Sequence, residues 1–228
     1  MKLITVSGPP SSGKTAVILK TLACLDQSQK VGVVKFDCLS TFDDERYRAA
    51  GYPAAVGISG SLCPDHYYVS NIQQCLDWGL RKGLDYLVCE SAGLCNRCSP
   101  HIQGVPAICV VDVLSGMETP RKIGPMLKLA DAVAITKGDI VSQAEREVFA
   151  SRIAEANPRA RIAFVNGLTG QGAGALLPVF STAADQTKLN GRNLRFAMPA
   201  AICDFCYGQT RISKGFRNGL VREVRFDD

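Results

Sequence analysis

The chain has 228 residues, 46% of them hydrophobic, with 26 Lys and Arg against 21 Asp and Glu for a net charge of +5. That length and apolar fraction suit one sizeable α/β core and exclude a disordered or fibrous chain. No apolar stretch approaches membrane-spanning length and no aromatic-rich basic stripe accompanies the charge, so neither a membrane nor nucleic acid is an expected partner. Segment 186–228 carries eight Lys and Arg against four acids, an excess that reads as a solvated face. The short apolar run after Met1-Lys2 stops at a glycine turn, so no secretory signal is expected. The cytosol is the expected compartment, and the ten cysteines are expected as reduced thiols or metal ligands.

In chain order, Lys2–Ser7 reads as a buried strand. It runs into Gly8-Pro9-Pro10-Ser11-Ser12-Gly13-Lys14-Thr15 and then into a helical stretch from Ala16 to Leu22. Strand, glycine-bounded turn and helix N-terminus form an anion site: backbone N–H groups point inward and the helix dipole adds partial positive charge. The pattern G-x-x-x-x-G-K-T assigns Gly8, Pro10, Ser11, Ser12, Gly13 and Ala16 to a phosphate cradle. It assigns Lys14 to the β/γ-phosphates and the Thr15 hydroxyl to Mg²⁺. A nucleoside triphosphate is therefore the expected ligand.

Val31–Asp37 reads as the second strand, with Asp37 at its end either as a Mg²⁺-linked acid or as a loop residue. Apolar residues at Tyr68, Val69, Ile72, Leu76 and Leu80 give a helix between 67 and 80. Strand 85–90 ends on Glu90, where a Mg²⁺-linked carboxylate belongs, and Ser91-Ala92-Gly93 forms the turn beside the γ-phosphate. Segments 107–113, 132–137 and 161–165 are further short β-branched strands. Ser142 and Glu145 form a capping box that opens a helix closed by Asn157-Pro158. This alternation implies an α/β fold: a three-layer phosphate-loop NTPase with a mostly parallel sheet and ligands at the carboxyl ends of its strands. The main domain is expected over 1–189, with a small C-terminal cysteine-containing β appendix over 190–228.

Thr136-Lys137-Gly138-Asp139 directly follows a strand and fits the [NT]-K-x-D pattern. A carboxylate at Asp139 accepts the paired donors of guanine, N1–H and the exocyclic amine, which adenine lacks. Lys137 lies along the base, and the polar glycine loop of Asn166, Gly167 and Leu168 is a candidate to close over it. GTP and Mg²⁺ are the expected ligands, with Lys14, Thr15, Asp37 and Glu90 as the catalytic set.

Glu90-Ser91-Ala92-Gly93, Val110-Val111-Asp112-Val113-Leu114-Ser115-Gly116 with Thr119-Pro120-Arg121-Lys122-Ile123-Gly124-Pro125, Thr136-Lys137-Gly138-Asp139 and Asn166-Gly167-Leu168-Thr169-Gly170-Gln171-Gly172 follow one another in a recognisable order and spacing. In these the chain resembles the urease accessory GTPase and the related hydrogenase nickel-insertion GTPase over about residues 1–177. The resemblance implies a nucleotide-gated homodimer that couples GTP hydrolysis to delivery of a metal to a client metalloenzyme or its accessory proteins. It also implies a Cys-Pro-His metal motif before the acidic strand. Here the chain has Cys63-Pro64-Asp65-His66, with Asp65 in the histidine's place and His66 one position late. Asp65 as a helix cap and His66 as a surface side chain is the competing reading.

Two C-x-x-C pairs, Cys95/Cys98 and Cys203/Cys206, add thiols, with His101 near the first. Together with Cys63 and His66 they suit Zn²⁺ or Ni²⁺, or an iron–sulfur cluster, and the second pair alone suits a structural zinc knuckle. Cys24, Cys75, Cys89 and Cys109 read as buried thiols. The leading expectation is a GTPase metallochaperone. The alternatives are a cluster-bearing NTPase that donates electrons and a small-molecule kinase or ligase. Guanine recognition at Asp139 opposes the first, and the lack of a separate acid/base constellation opposes the second.

Overall fold

The computed structural model describes residues 1–196 together with 212, 223, 224 and 226. Seven strands, β1 (Lys2–Ser7), β2 (Val31–Asp37), β3 (Ala54–Ile58), β4 (Tyr86–Glu90), β5 (Ala107–Asp112), β6 (Ala132–Thr136) and β7 (Arg161–Phe164), form one sheet in the order β3-β2-β4-β1-β5-β6-β7. Every pairing between these strands is parallel, so the sheet is fully rather than mostly parallel. β3 has no counterpart in the sequence reading. Its Ala-Ala-Val-Gly-Ile is short and poor in β-branched residues, and its place at the edge of the sheet asks for no long apolar run.

Helices cover both faces because side chains alternate along each strand. Ile4, Val6, Val33, Val88 and Ile108 point to one face, against α1 (Lys14–Leu22), α2 (Asp43–Ala49) and α7 (Leu177–Ser181). Leu3, Val34, Phe36 and Leu87 point to the other, against the long α3 (Pro64–Arg81). On that second face Val111, Val133 and Ile135 meet two single-turn helices and α6, namely α4 (Thr119–Lys122), α5 (Pro125–Lys128) and α6 (Gln143–Ala156). The α6 N-terminus carries the expected capping box: Ser142 Oγ accepts from Glu145 N, and Ser142 N donates to Glu145 Oε2 at 2.9 Å. Cys75, Cys89 and Cys109 are buried as expected. Cys24 instead is exposed, because it falls past the end of α1, where its thiol turns back to the Lys20 carbonyl.

β1 lies between β4 and β5, so connections leave it in both directions and a crevice opens beyond its carboxyl end. The described residues past 190 pack on the main body. Leu194 pairs with Ile102, and Ile212 and Val224 join the core under α3. The expected strands of the appendix lie outside the described residues.

Candidate nucleotide and metal site

The loop leaving β1 fills the crevice. Gly8 has φ 145, and a Cβ there would sit 2.1 Å from the Val110 carbonyl oxygen, so only glycine brings this loop so close to β5. Gly13 enters the left-handed region and starts α1, whose first turn carries Lys14 and Thr15. Lys14 Nζ donates to the carbonyls of Gly8 and Pro9 at 2.9 Å and of Ala92 at 3.4 Å. Burial pulls its pKa down to about 8, against the pull of Glu90. The Ser91-Ala92-Gly93 turn thus rests on the phosphate loop: a Cβ on Gly93 would meet the Gly8 carbonyl oxygen at 1.7 Å.

Thr15 Oγ1 donates to both Glu90 oxygens, at 3.1 and 3.2 Å. Glu90 also accepts from Tyr47 at 2.7 Å and from Lys35 at 2.6 Å. Lys35 Nζ further lies 3.2 Å from Asp43 and 4.0 Å from Asp37, whose Oδ1 accepts from Cys38 N. Thr15, Asp37 and Glu90 therefore gather as the motifs require, but Asp43, Tyr47 and Lys35 join them without having been foreseen. A lysine inside the apolar run Val33-Val34-Lys35-Phe36 was the available signal, since a charge in a buried strand requires a buried partner. The donor set is all oxygen, hydroxyl and carboxylate, and fits Mg²⁺.

The Thr136–Asp139 side is equally local. Thr136 Oγ1 donates to Ser12 O at 2.7 Å, and Lys137 reaches Ser11 O and pairs with Asp112, so β6 is tied to the phosphate loop. Asp139 is exposed at the rim of a cavity of about 220 Å³ lined also by Gly138, Phe164, Asn166 and Gln171. Asn166 Oδ1 accepts from Leu168 N and Thr169 N, which shapes the loop, and Gly167 packs on Ala16. Leu168 projects into solvent.

Two residues past Gly93 the first thiol appears, and the Cys95–Cys98 turn meets the start of α3. Cys98 N donates to Cys95 O, and the donor atoms of Asp65, Cys95 and Cys98 lie within 4.8 Å of one another. Asp65 is fully buried and both its oxygens lack a hydrogen-bond partner among the described residues. Burial, then the neighbouring Cys63, push its carboxyl up to about 7, against the charge of Lys14. Hydrogen bonding with Cys63 and then burial raise the Cys98 thiol far above its ordinary range. Asp65 therefore does not cap α3, whose N-cap is Cys63 without a side-chain cap. His66 is buried rather than at the surface and stands outside the gathered trio.

His101 is turned away from the thiols. Its Nε2 lies 3.0 Å from the Met126 carbonyl, which only accepts, so Nε2 carries the proton, while Nδ1 lies 3.3 Å from Thr5 Oγ1. Burial lowers its pKa to about 4. Arg97 is exposed. Cys203 and Cys206 lie outside the described residues.

Residues 2–164 match the CobW/HypB/UreG nucleotide-binding domain. An uncharacterised protein of Methanocaldococcus jannaschii, MJ0120, is 47% identical over 225 residues, 98% of this chain and 96% of that one. The hydrogenase maturation factor HypB of Azotobacter chroococcum is 27% identical over 184 residues, 77% of this chain but only 58% of that protein. Among solved structures, HypB from Archaeoglobus fulgidus superposes with a TM-score of 0.62 at 23% identity, covering 79% of this chain and 89% of its own. HypB from Helicobacter pylori in complex with nickel gives 0.64 at 22% identity, covering 82% and 91%. The match runs from the phosphate loop through the acidic end of β4 to the Thr136–Asp139 turn: the chain belongs to the CobW/HypB/UreG family of nucleotide-binding domains.

Proposed function

We propose that this chain binds and hydrolyses GTP and uses the cycle to control a thiol-rich metal site, from which a metal is loaded into a partner metalloenzyme or its accessory proteins. The observation that carries the reading is the short path between the two halves. Lys14, the phosphate-seeking cation, donates to Ala92 O, and the Cys95–Cys98 turn begins three residues further on. A γ-phosphate that draws Lys14 off the Gly8, Pro9 and Ala92 carbonyls loosens the turn on which the thiols stand. Loops of this kind report hydrolysis by rearranging.

In this reading Lys14 neutralises the β/γ-phosphates, and Thr15, Asp37 and Glu90 hold Mg²⁺, which supplies charge stabilisation to phosphoryl transfer. Asp139 selects guanine, with Lys137 and the Asn166 loop flanking the base. At the second centre, thiols from Cys95, Cys98 and Cys63 with the Asp65 carboxylate favour Zn²⁺ or Ni²⁺ over an all-thiolate iron–sulfur cluster. The relative named a hydrogenase maturation factor supports a maturation role. Exposed Leu39, Phe42, Leu94 and Leu114 are apolar side chains of the loops after β2, β4 and β5, and support a homodimer closing over the nucleotide edge. Free thiols in the turn suit a reducing cytosol.

The test is anaerobic purification with elemental analysis and a nucleotide titration, on the wild type and on a Cys95→Ser/Cys98→Ser variant. The expected result is stoichiometric metal in the wild type, little in the variant, and GTP bound in strong preference to ATP by both. Equal metal content in both proteins would remove the thiol site, and equal ATP and GTP affinity would remove the guanine reading.

A further inference from the structure

Lys35 is the feature that the nucleotide reading leaves without a task. Its strand is otherwise apolar and its side chain is 6% exposed, so the ammonium has lost nearly all its water. In the parallel register Lys35 lies beside Glu90, which puts the two side chains on the same face of the sheet, under α1 and α2. There the ammonium sits 2.6 Å from Glu90, 3.2 Å from Asp43 and 4.0 Å from Asp37. Glu90 also takes the Thr15 hydroxyl. The acids that surround Lys35 thus include both carboxylates assigned to Mg²⁺, and the hydroxyl assigned to Mg²⁺ touches one of them.

A buried ammonium is retained only if paired, and this pairing is with carboxylates that have a second claimant. The four charged side chains carry a net −2, which a divalent cation balances. Without Lys35 they would carry −3, with two or more acids facing one another in a water-poor crevice. A mere structural ion pair needs one acid; here three are arranged around one cation.

The geometry points to Lys35 as a built-in counter-cation of the Mg²⁺ site: it holds Glu90 and Asp43 in place before nucleotide arrives and competes with a free divalent cation for them, so that the metal enters together with the nucleotide phosphates rather than ahead of them. Lys35 is a positioning residue in this scheme, since it acts through the carboxylates. The inference rests on the reading of Thr15 and Glu90 as the Mg²⁺ side of a nucleotide site.

The experiment titrates Mn²⁺, as a paramagnetic stand-in for Mg²⁺, into nucleotide-free wild type, Lys35→Met and Lys35→Arg, reading free Mn²⁺ by electron paramagnetic resonance. The Met variant is expected to bind Mn²⁺ at least about tenfold more tightly than the wild type, because one buried repelling charge is gone. The Arg variant, which keeps the cation, is expected to stay near the wild type. Unchanged or weaker Mn²⁺ binding by Lys35→Met overturns the proposal. If that variant is too unstable to titrate, its melting temperature is followed with added Mn²⁺: a rise larger than the wild type's supports the proposal, and an equal or smaller rise overturns it. A parallel titration of the wild type with GDP present separates the two readings. If GDP fails to tighten Mn²⁺ there, the nucleotide reading falls, and with it the role given to Lys35, whatever the variants show. If GDP tightens Mn²⁺ and Lys35→Met gains nothing, the role of Lys35 alone falls.

Discussion

Glu90 and Asp65 are both carboxylates without exposed surface, both feel the charge of Lys14 on the phosphate loop, and their surroundings could hardly differ more. Glu90 is saturated: Thr15, Lys35 and Tyr47 all donate to it. Asp65 has no hydrogen-bond donor among the described residues and faces thiols. The nucleotide end is therefore assembled in advance, with Glu90 held by three donors from within the chain. The thiol end holds an incomplete donor set that a cation would complete. A buried carboxylate left unanswered costs stability, and its retention is the mark of a ligand site rather than of a packing solution.

The largest effect that would sharpen this contrast is at the assembled end. Lys14→Ala should lower GTP turnover by about a hundredfold or more, because nothing else on the phosphate loop replaces its charge. Phosphate release under saturating nucleotide measures it, and near-normal turnover would break the assignment. The next concerns the floor under the thiol turn. His101 is held neutral, with its pKa at about 4 against 6.5 in the unfolded chain. As pH falls, the unfolded chain takes up that proton first. The stability due to neutral His101 is therefore complete above about pH 6.5 and is lost as pH falls toward 4, a loss on the order of 3 kcal/mol. Denaturation midpoints across that window should drop for the wild type and drop less for His101→Gln. Parallel curves would show that the ring is not the group responsible.

Smaller changes probe each end singly. Asp139→Asn should weaken GTP by about 2 kcal/mol and shift preference toward xanthosine triphosphate, whose exocyclic oxygen needs a donor. Titration calorimetry with both nucleotides reads this directly. Asp65→Asn should stabilise the metal-free protein by about 1 kcal/mol above pH 7, where an uncompensated charge is removed, while weakening metal binding. Thermal melts after chelation and after Zn²⁺ addition give the two signs. A variant less stable in both states would make Asp65 a structural group.

How much could be read beforehand follows the same division. The nucleotide end is coded by contiguous motifs, since backbone geometry and short spacings make a phosphate cradle; Gly8 to Thr15, Glu90 and Thr136 to Asp139 fall where the sequence puts them. The alternation of strands and the long helices was likewise legible. The edge strand β3, whose Ala and Gly residues carry no strand signal, and the short helices α2, α4, α5 and α7, too brief to show a period, were not. The thiol end is coded by distance in space. Cys63 and Asp65 come from the start of α3 and Cys95 and Cys98 from the loop after β4, and only the fold decides that Asp65, not His66, faces the thiols. His101 looked like a ligand by spacing, yet Met126, twenty-five residues on, claims its proton. Lys35 was visible as an anomaly, but its partners Asp43 and Glu90 lie on other elements.

The coupling between the two ends is tested most directly by the dissociation constant for Zn²⁺, measured by competition with a chromophoric chelator, for the protein loaded with GDP and with a non-hydrolysable GTP analogue. Contact between Lys14 and Ala92 predicts that the two values differ by about fivefold or more, and that Zn²⁺ changes the affinity for the analogue by the same factor. The same Zn²⁺ affinity in both nucleotide states would contradict a nucleotide-controlled metal site.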